Sequence, residues 1–293
     1  MIKRIKWLGN NRGNKHSRLH LKYNPDRDKE FWNFSFHEMG IYDLPAMIDL
    51  IKIKSGVKKL TYIGHSQGTT QLFVGFSEMP EYFNNNLNGF IGLGPITKLN
   101  NIKSTFLKAV ADYGLDNLFN LFEINEVFPS PSSVNKIGSI ICENFYILCS
   151  GLLQMLSDNN INNDDRERFL VFVSHFPSGA SLKTLNHFSL IYKQKEFINM
   201  KQKTKYDYSS KIDIPISLFL GKEDKLSTPE DAREIRNNFL KKGNLHFYKE
   251  YENMGHATFF LTKTKEYILD VLTCLEDYNY FNNASNSKNK LEK

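Results

Sequence analysis

The sequence predicts an α/β fold in which a mostly parallel sheet carries helices on its faces. Two observations carry that expectation. Four short apolar runs, "KKLTYIG" (58–64), "LNGFIGLG" (87–94), "IPISLFLG" (214–221) and "NLHFYKEY" (244–251), are continuous rather than alternating, as strands covered on both faces are. Segments of helical period lie before, between and after them, so strand and helix alternate as in a parallel sheet. At 293 residues, 41% hydrophobic and 24% charged, the chain is long and apolar enough for a sizeable core.

In chain order, "MIKRIKWLGNN" is basic but has no apolar stretch behind it, and no signal peptide is visible. "YDLPAMIDLIKIK" (42–54) reads as a helix before the first strand and "TTQLFVGFSEM" (69–79) as the helix after it. "TPEDAREIRNNFLKK" (228–242) follows the third strand, with Thr228 as N-cap and Pro229 in the first turn. "TKEYILDVLTCLEDY" (264–278) closes the series. Residues 1–96 and 206–280 thus form the two parts of one core, and 97–205, rich in Phe, Leu and Asn without clear strands, is a helical insertion that caps it. Residues 281–293 are polar and read as a frayed tail.

Bulk properties exclude several classes. The net charge of +6 is dispersed along the chain, so no nucleic-acid partner is indicated. No apolar run reaches membrane-spanning length. Cys142, Cys149 and Cys274 do not make a disulfide framework; on one helix Cys142 and Cys149 would share a face, and buried free thiols are preferred over a bridge, with a bridge kept as the alternative. Asn33-Phe34-Ser35 and Asn283-Ala284-Ser285 fit the N-glycosylation pattern, the first reading as packed among aromatics.

The chemistry is in Gly64-His65-Ser66-Gln67-Gly68. This is G-x-S-x-G between a strand and a helix, the nucleophile elbow of α/β-hydrolases. The turn is tight and the serine strained, so glycines two before and two after it avoid side-chain collisions. Ser66 then projects beyond the C-terminal end of its strand, where open α/β sheets bind ligands. The helix that starts at Gln67 offers backbone N–H groups to a developing oxyanion.

A serine needs a base, and a base needs an acid to orient it. In this fold they follow the nucleophile in the order acid, then histidine. Asp224 lies just beyond the third run and His256 just beyond the fourth. Glu223 is the rival acid, but one residue earlier its side chain points to the other side of the strand end. His246 falls inside a strand and reads as packed. His175 and His187 fall in the insertion, as structural or pocket-lining residues.

These residues bring a family into view. "WLGNNRGN" (7–14), "EFWNFSFHEMGIYDLPAMIDLI" (30–51), "YIGHSQGTTQLFVGFSEMPEY" (62–82), "SHFPSGASLKTLNHFS" (174–189) and "YDYSSKIDIPISLFLGKEDKLSTPEDA" (206–232) resemble the acid lipases of the gastric and lysosomal type. The resemblance implies Ser66 as nucleophile, Asp224 as acid, His256 as base and a cap over an acyl-binding cleft. It implies esters of long-chain fatty acids, triacylglycerols or sterol esters, as substrates at a lipid–water interface, and a secreted or lysosomal setting. That family carries further strands ahead of "WLGN" and a His-Gly loop that supplies one oxyanion donor. The sequence therefore reads as the family's pattern without its N-terminal portion, with only the Gln67 N–H to place in the oxyanion hole and with a free sheet edge.

The expected chemistry is hydrolysis through an acyl-enzyme, without metal or cofactor. The alternative is an inactive or incomplete α/β-hydrolase-like protein that binds lipid or a protein partner.

Overall fold

The structure, a computed structural model, describes residues 5–112, 124–129, 132–157 and 162–291. The four apolar runs form one parallel sheet of β1 (Leu60–His65), β2 (Leu87–Leu93), β5 (Ile216–Gly221) and β6 (Leu245–Tyr251), in the order β1-β2-β5-β6. Register places His65 beside Leu93, Leu93 beside Phe219, and Gly221 beside Tyr251. The C-terminal ends of all four strands therefore line one edge, with Ser66, Asp224 and His256 just beyond β1, β5 and β6.

The two central strands, β2 and β5, bury both faces, onto which successive side chains alternate. Phe90 and Leu218 join a core with Leu72, Phe73, Phe76 and Phe83 on one side. Their neighbours Ile91 and Phe219 join Tyr251, Met254, Cys274 and Tyr278 on the other. Among the described residues β1 pairs on one side only, with β2, and Ile63 in it is 46% exposed, which agrees with a free edge.

The helices begin and end where local chemistry dictates. α1 (Leu44–Ser55) carries Pro45 in its first turn and stops at Gly56, whose φ of 71° is left-handed. α2 (Gln67–Glu78) is buried from Thr69 through Ser77, so it is a central helix, and its buried polar residues Thr69, Thr70 and Gln71 are hydrogen-bonded. α3 (Pro80–Asn86) leads into β2. After β5, Thr228 Oγ1 accepts the Asp231 N–H and caps the helix Pro229–Lys242, the predicted N-cap. The last helix runs Glu266–Leu291. The expected frayed tail therefore continues a helix as far as Leu291, because residues 281–291 hold no Pro or Gly to stop it.

The described part of the insertion is mainly helical: Thr105–Asp112, Ser132–Asn144, Tyr146–Ser157, Arg166–His175 and Leu182–Gln194. A two-residue antiparallel ribbon, β3 (Glu126–Val127) with β4 (Ala180–Ser181), is a strand pair the sequence did not betray. The chain bends by 113° between Asn144 and Tyr146. Cys142 and Cys149 consequently sit on two helices, with Cα atoms 5.5 Å apart, and are disulfide-bonded. This corrects the expectation of three free thiols, which assumed one unbroken helix; Cys274 is free and buried. Cys142, Leu153 and Phe169 of the insertion pack on Ala257 and Leu261 of the core, next to His256. Arg168 donates to the Thr262 carbonyl at 2.8 Å there. No single described helix is long and apolar enough to cross a membrane. Asn33 is exposed and accepts from Lys183 Nζ at 2.9 Å, against the expectation that its aromatic neighbours would bury it.

Candidate active site

Ser66 has φ 54° and ψ −120°, a left-handed backbone that a side chain adopts at a cost of about 1–3 kcal/mol. The local sequence makes this turn possible. A Cβ on Gly64 would lie 2.8 Å from the Gly68 backbone and 2.8 Å from the Tyr62 ring, so only glycine lets strand and helix pass this closely. At Gly68 the expected collision is absent: a Cβ there would meet only Tyr62 Oη, at 3.6 Å. The Ser66 N–H donates to Leu93 O at 3.0 Å. Gln67 opens α2, so its N–H has no acceptor within the helix, and its side chain donates to Met39 Sδ at 3.3 Å.

Asp224 and His256 meet although 32 residues separate them. His256 Nδ1 lies 2.7 Å from Asp224 Oδ2, and both residues are buried. The other carboxylate oxygen, Oδ1, accepts the N–H groups of Leu226 and Ser227 at 2.9 and 2.7 Å. A carboxylate oxygen can only accept, so the proton on His256 belongs on Nδ1, leaving a lone pair on Nε2. His256 Nε2 is buried with no hydrogen-bond partner among the described residues. A buried nitrogen kept open in this way is free to accept a proton from a hydroxyl brought to it. Glu223 is exposed, and the rival acid is set aside on that ground.

Gly94, at the end of β2, lies under the pair. A Cβ there would be 3.2 Å from His256 Cε1 and Nδ1 and 3.3 Å from Asp224 Oδ2, and its φ of 53° is left-handed. His65 packs on His256 from the other direction, with ring centroids 4.6 Å apart.

The other histidines are accounted for elsewhere. His246 Nε2 lies 3.0 Å from Asp277 Oδ2. His175 is exposed, with Nδ1 2.9 Å from its own helix's Val171 O. His187 is buried between Ser35 Oγ, 3.0 Å from Nδ1, and Ile198 O, 2.8 Å from Nε2, with its ring stacked on Phe36. A polar cavity of about 330 Å³, lined by Lys103, Gln154, Lys222, Glu223, Asp224, Lys225 and Gly255, opens beside the acid. Another, of about 360 Å³ around Trp32, Asn125 and Asn186, touches none of the three site residues.

No family model matches the chain. Among curated proteins, lipase member K of Homo sapiens is 30% identical over 295 residues, covering 93% of this chain and 71% of its own length. The chain belongs to the acid lipase family of the gastric and lysosomal type. Gastric triacylglycerol lipase of Mus musculus is 34% identical over 272 residues, 86% of this chain and 66% of that protein. The putative lysosomal acid lipase/cholesteryl ester hydrolase of Crotalus adamanteus is 31% identical over 268 residues, again 86% and 66%. The chain thus spans about two thirds of the length of the curated relatives it matches. A soluble variant of monoglyceride lipase from Saccharomyces cerevisiae matches in structure with TM-score 0.52 at 15% identity, over 86% of this chain and 73% of that one. That likeness shows the α/β-hydrolase fold.

In this acid lipase chain the residues that brace the elbow were not evident from sequence. Thr69 Oγ1 donates to Ser66 O at 2.7 Å and accepts the Ile96 N–H at 2.9 Å. Tyr62 Oη donates to Gly68 O at 2.8 Å and accepts from Gln71 at 3.1 Å. "QGTTQ" does follow the motif, but Ile96, which holds Thr69, comes from beyond the end of β2, and no local pattern reveals it.

Proposed function

We propose that this chain hydrolyses carboxylic esters of lipids, triacylglycerols or sterol esters, through Ser66, His256 and Asp224. The observation that carries the reading is the buried 2.7 Å contact of His256 with Asp224, which leaves His256 Nε2 open at the sheet edge where Ser66 is held in a strained turn. His256 Nε2 takes the Ser66 proton as the hydroxyl attacks the ester carbonyl. Asp224 holds the ring and stabilises its protonated form. The oxyanion is stabilised by the Gln67 N–H at the start of α2. The imidazolium then protonates the leaving alcohol, and water, activated by the same nitrogen, cleaves the acyl-enzyme to free fatty acid. No metal or cofactor takes part in these steps.

The names of relatives support the substrate class, triacylglycerol in one and cholesteryl ester in another. They also support a secreted or lysosomal setting, and the reading places the work at a lipid–water interface. The insertion, 97–205, is assigned as the cap over the acyl site, flanked by core segments 1–96 and 206–280.

A fluorophosphonate probe and a long-chain fluorogenic ester test the reading. The wild-type chain is expected to label at Ser66 and to hydrolyse the ester, and Ser66→Ala to do neither. Ester hydrolysis that survives Ser66→Ala refutes it. A folded wild-type chain that never labels supports the other reading, a non-catalytic binder of lipid or of a partner.

A further inference from the structure

His65 lies between the nucleophile and the base, and the steps above give it no part. It is the last residue of β1. Its main chain continues directly into Ser66, while its side chain turns to the other partner. His65 Nε2 lies 3.0 Å from the main-chain oxygen of His256. A carbonyl can only accept, so His65 carries a proton on Nε2 and donates it. The ring is wedged between His256, at 4.6 Å between centroids, and Phe260, also at 4.6 Å and near-perpendicular, with Phe259 at 5.8 Å.

We propose that His65 is a positioning residue: it clamps the loop bearing the base to the strand end bearing the nucleophile, so that Ser66 and His256 keep one separation. The proposal rests on the triad reading and adds to it. Asp224 controls the direction of the His256 ring but acts on the side chain alone. The loop from Glu252 to Ala257 is tied to the acid's strand end by the Glu223 N–H on Met254 O at 3.1 Å, and to the helix after it by the Gly255 N–H on Thr258 Oγ1 at 3.1 Å. The donor on the His256 carbonyl ties the same loop to the end of β1 as well, and it comes from the residue joined by one peptide bond to Ser66. Any movement of the β1 end then carries both groups together.

Charge fits this role. Burial first, and then the proximity of His256, hold the His65 imidazole well below its ordinary pKa. It therefore stays neutral and sets no second positive charge against His256 when that ring takes up the serine proton. The same feature shows why a lysine or arginine donor would serve badly here.

Three substitutions in the full chain separate a hydrogen-bonded clamp from ordinary packing. His65→Gln places an amide N–H about where Nε2 was; His65→Asn ends short of the carbonyl; His65→Phe keeps an aromatic ring and has no donor. The readouts are the rate of fluorophosphonate labelling at Ser66, kcat and KM on a soluble short-chain p-nitrophenyl ester, and the urea midpoint. A misplacement near 1 Å is worth ~100-fold in rate, so His65→Phe and His65→Asn are expected to lose ~10–100-fold in labelling and kcat. KM should stay within about twofold, and His65→Gln should recover most of the loss. Equal rates for wild type and His65→Phe overturn the clamp. So do equal losses in Phe, Asn and Gln variants, which would mean that the imidazole ring rather than its donor matters. His256→Ala is the control for the reading beneath: if it labels as fast as wild type, the triad fails, whereas normal control behaviour with an indifferent His65 fails the clamp alone. If His65→Phe does not fold, the Asn and Gln pair still decides.

Discussion

Acid should destabilise this protein through one histidine far from the reaction. His187, in the helix Leu182–Gln194, is fully buried. Its pKa is lowered from 6.5 to about 4, first by burial and further by His37 and Lys183, against the Ile198 carbonyl and Glu38, which favour its charged form. In the unfolded chain it titrates near 6.5. The folded value lies below the unfolded one, so His187 contributes stability that is complete above pH 6.5 and is lost as pH falls through about 4. Each pH unit of displacement corresponds to about 1.4 kcal/mol. The whole effect is then about 3 kcal/mol, with about 2 kcal/mol already lost at pH 4.5, a large fraction of typical domain stability. The perturbation is His187→Gln, which keeps a donor and an acceptor but cannot ionise. Urea unfolding of both proteins at pH 7 and pH 4.5 gives the difference of differences, in which other titrating groups cancel. The substitution is expected to lower stability at pH 7, through lost stacking on Phe36, yet to flatten the fall towards pH 4.5 by about 2 kcal/mol. An identical fall in both proteins would refute the argument, as would an NMR titration of His187 in the folded chain with a midpoint above 6.

Two further predictions concern the site. Asp224→Asn is expected to cut Ser66 labelling by ~10³–10⁴-fold: Oδ1 meets two backbone N–H groups and Oδ2 meets His256 Nδ1, so the amide's NH₂ must face a donor whichever way it is turned. Labelling kinetics beside a circular dichroism spectrum check that the loss is chemical rather than structural. Gly94→Ala should destabilise the fold by about 1–2 kcal/mol, because a φ of 53° disfavours a side chain, and should slow labelling at least tenfold by pressing its methyl against His256 and Asp224; the urea midpoint and the labelling rate read the two effects separately.

What could be read from sequence followed its physical range. The four strands are runs of a few apolar residues bounded by turns, a local signal, and they fell within two residues of their places. Thr228 was legible as an N-cap because cap, proline and acidic first turn are adjacent in the chain. The pairing of Asp224 with His256 was legible because the fold's chain order and its strand ends constrain the two together; their role with Ser66 is the proposal above. The failures are non-local. The Cys142–Cys149 bond depends on a sharp bend after Asn144; the polar pair Glu143-Asn144 interrupts the apolar run there, but two polar residues do not by themselves distinguish a bend from the exposed face of one helix. Asn33 looked buried because Phe31, Trp32 and Phe34 are buried, but the peptide at Asn33 leaves a short 3₁₀ turn and turns its side chain outwards. Gly94 and Thr69 carry no motif of their own, since their importance comes from what another strand end places against them.

The segment Leu93–Ile96 ties the turn at Ser66 to the loop at Asp224. Leu93 O accepts the Ser66 N–H, and Ile96 receives Thr69 Oγ1 on its N–H and gives its carbonyl to Thr70 Oγ1 at 2.9 Å. Those bonds fix the nucleophile turn. Pro95 O accepts from Ser227 Oγ at 2.7 Å, and Ser227 N–H in turn holds Asp224; that fixes the acid loop. Gly94, between them, lets His256 and Asp224 come within van der Waals contact of the backbone. β2 is flanked by β1 and β5, so its end is the one point from which the nucleophile turn and the acid loop are both within one hydrogen bond. Backbone strain at Ser66 of about 1–3 kcal/mol is sustained by several such bonds, each worth about 1 kcal/mol. None of these bonds uses the Ser66 hydroxyl, as the proposed attack requires.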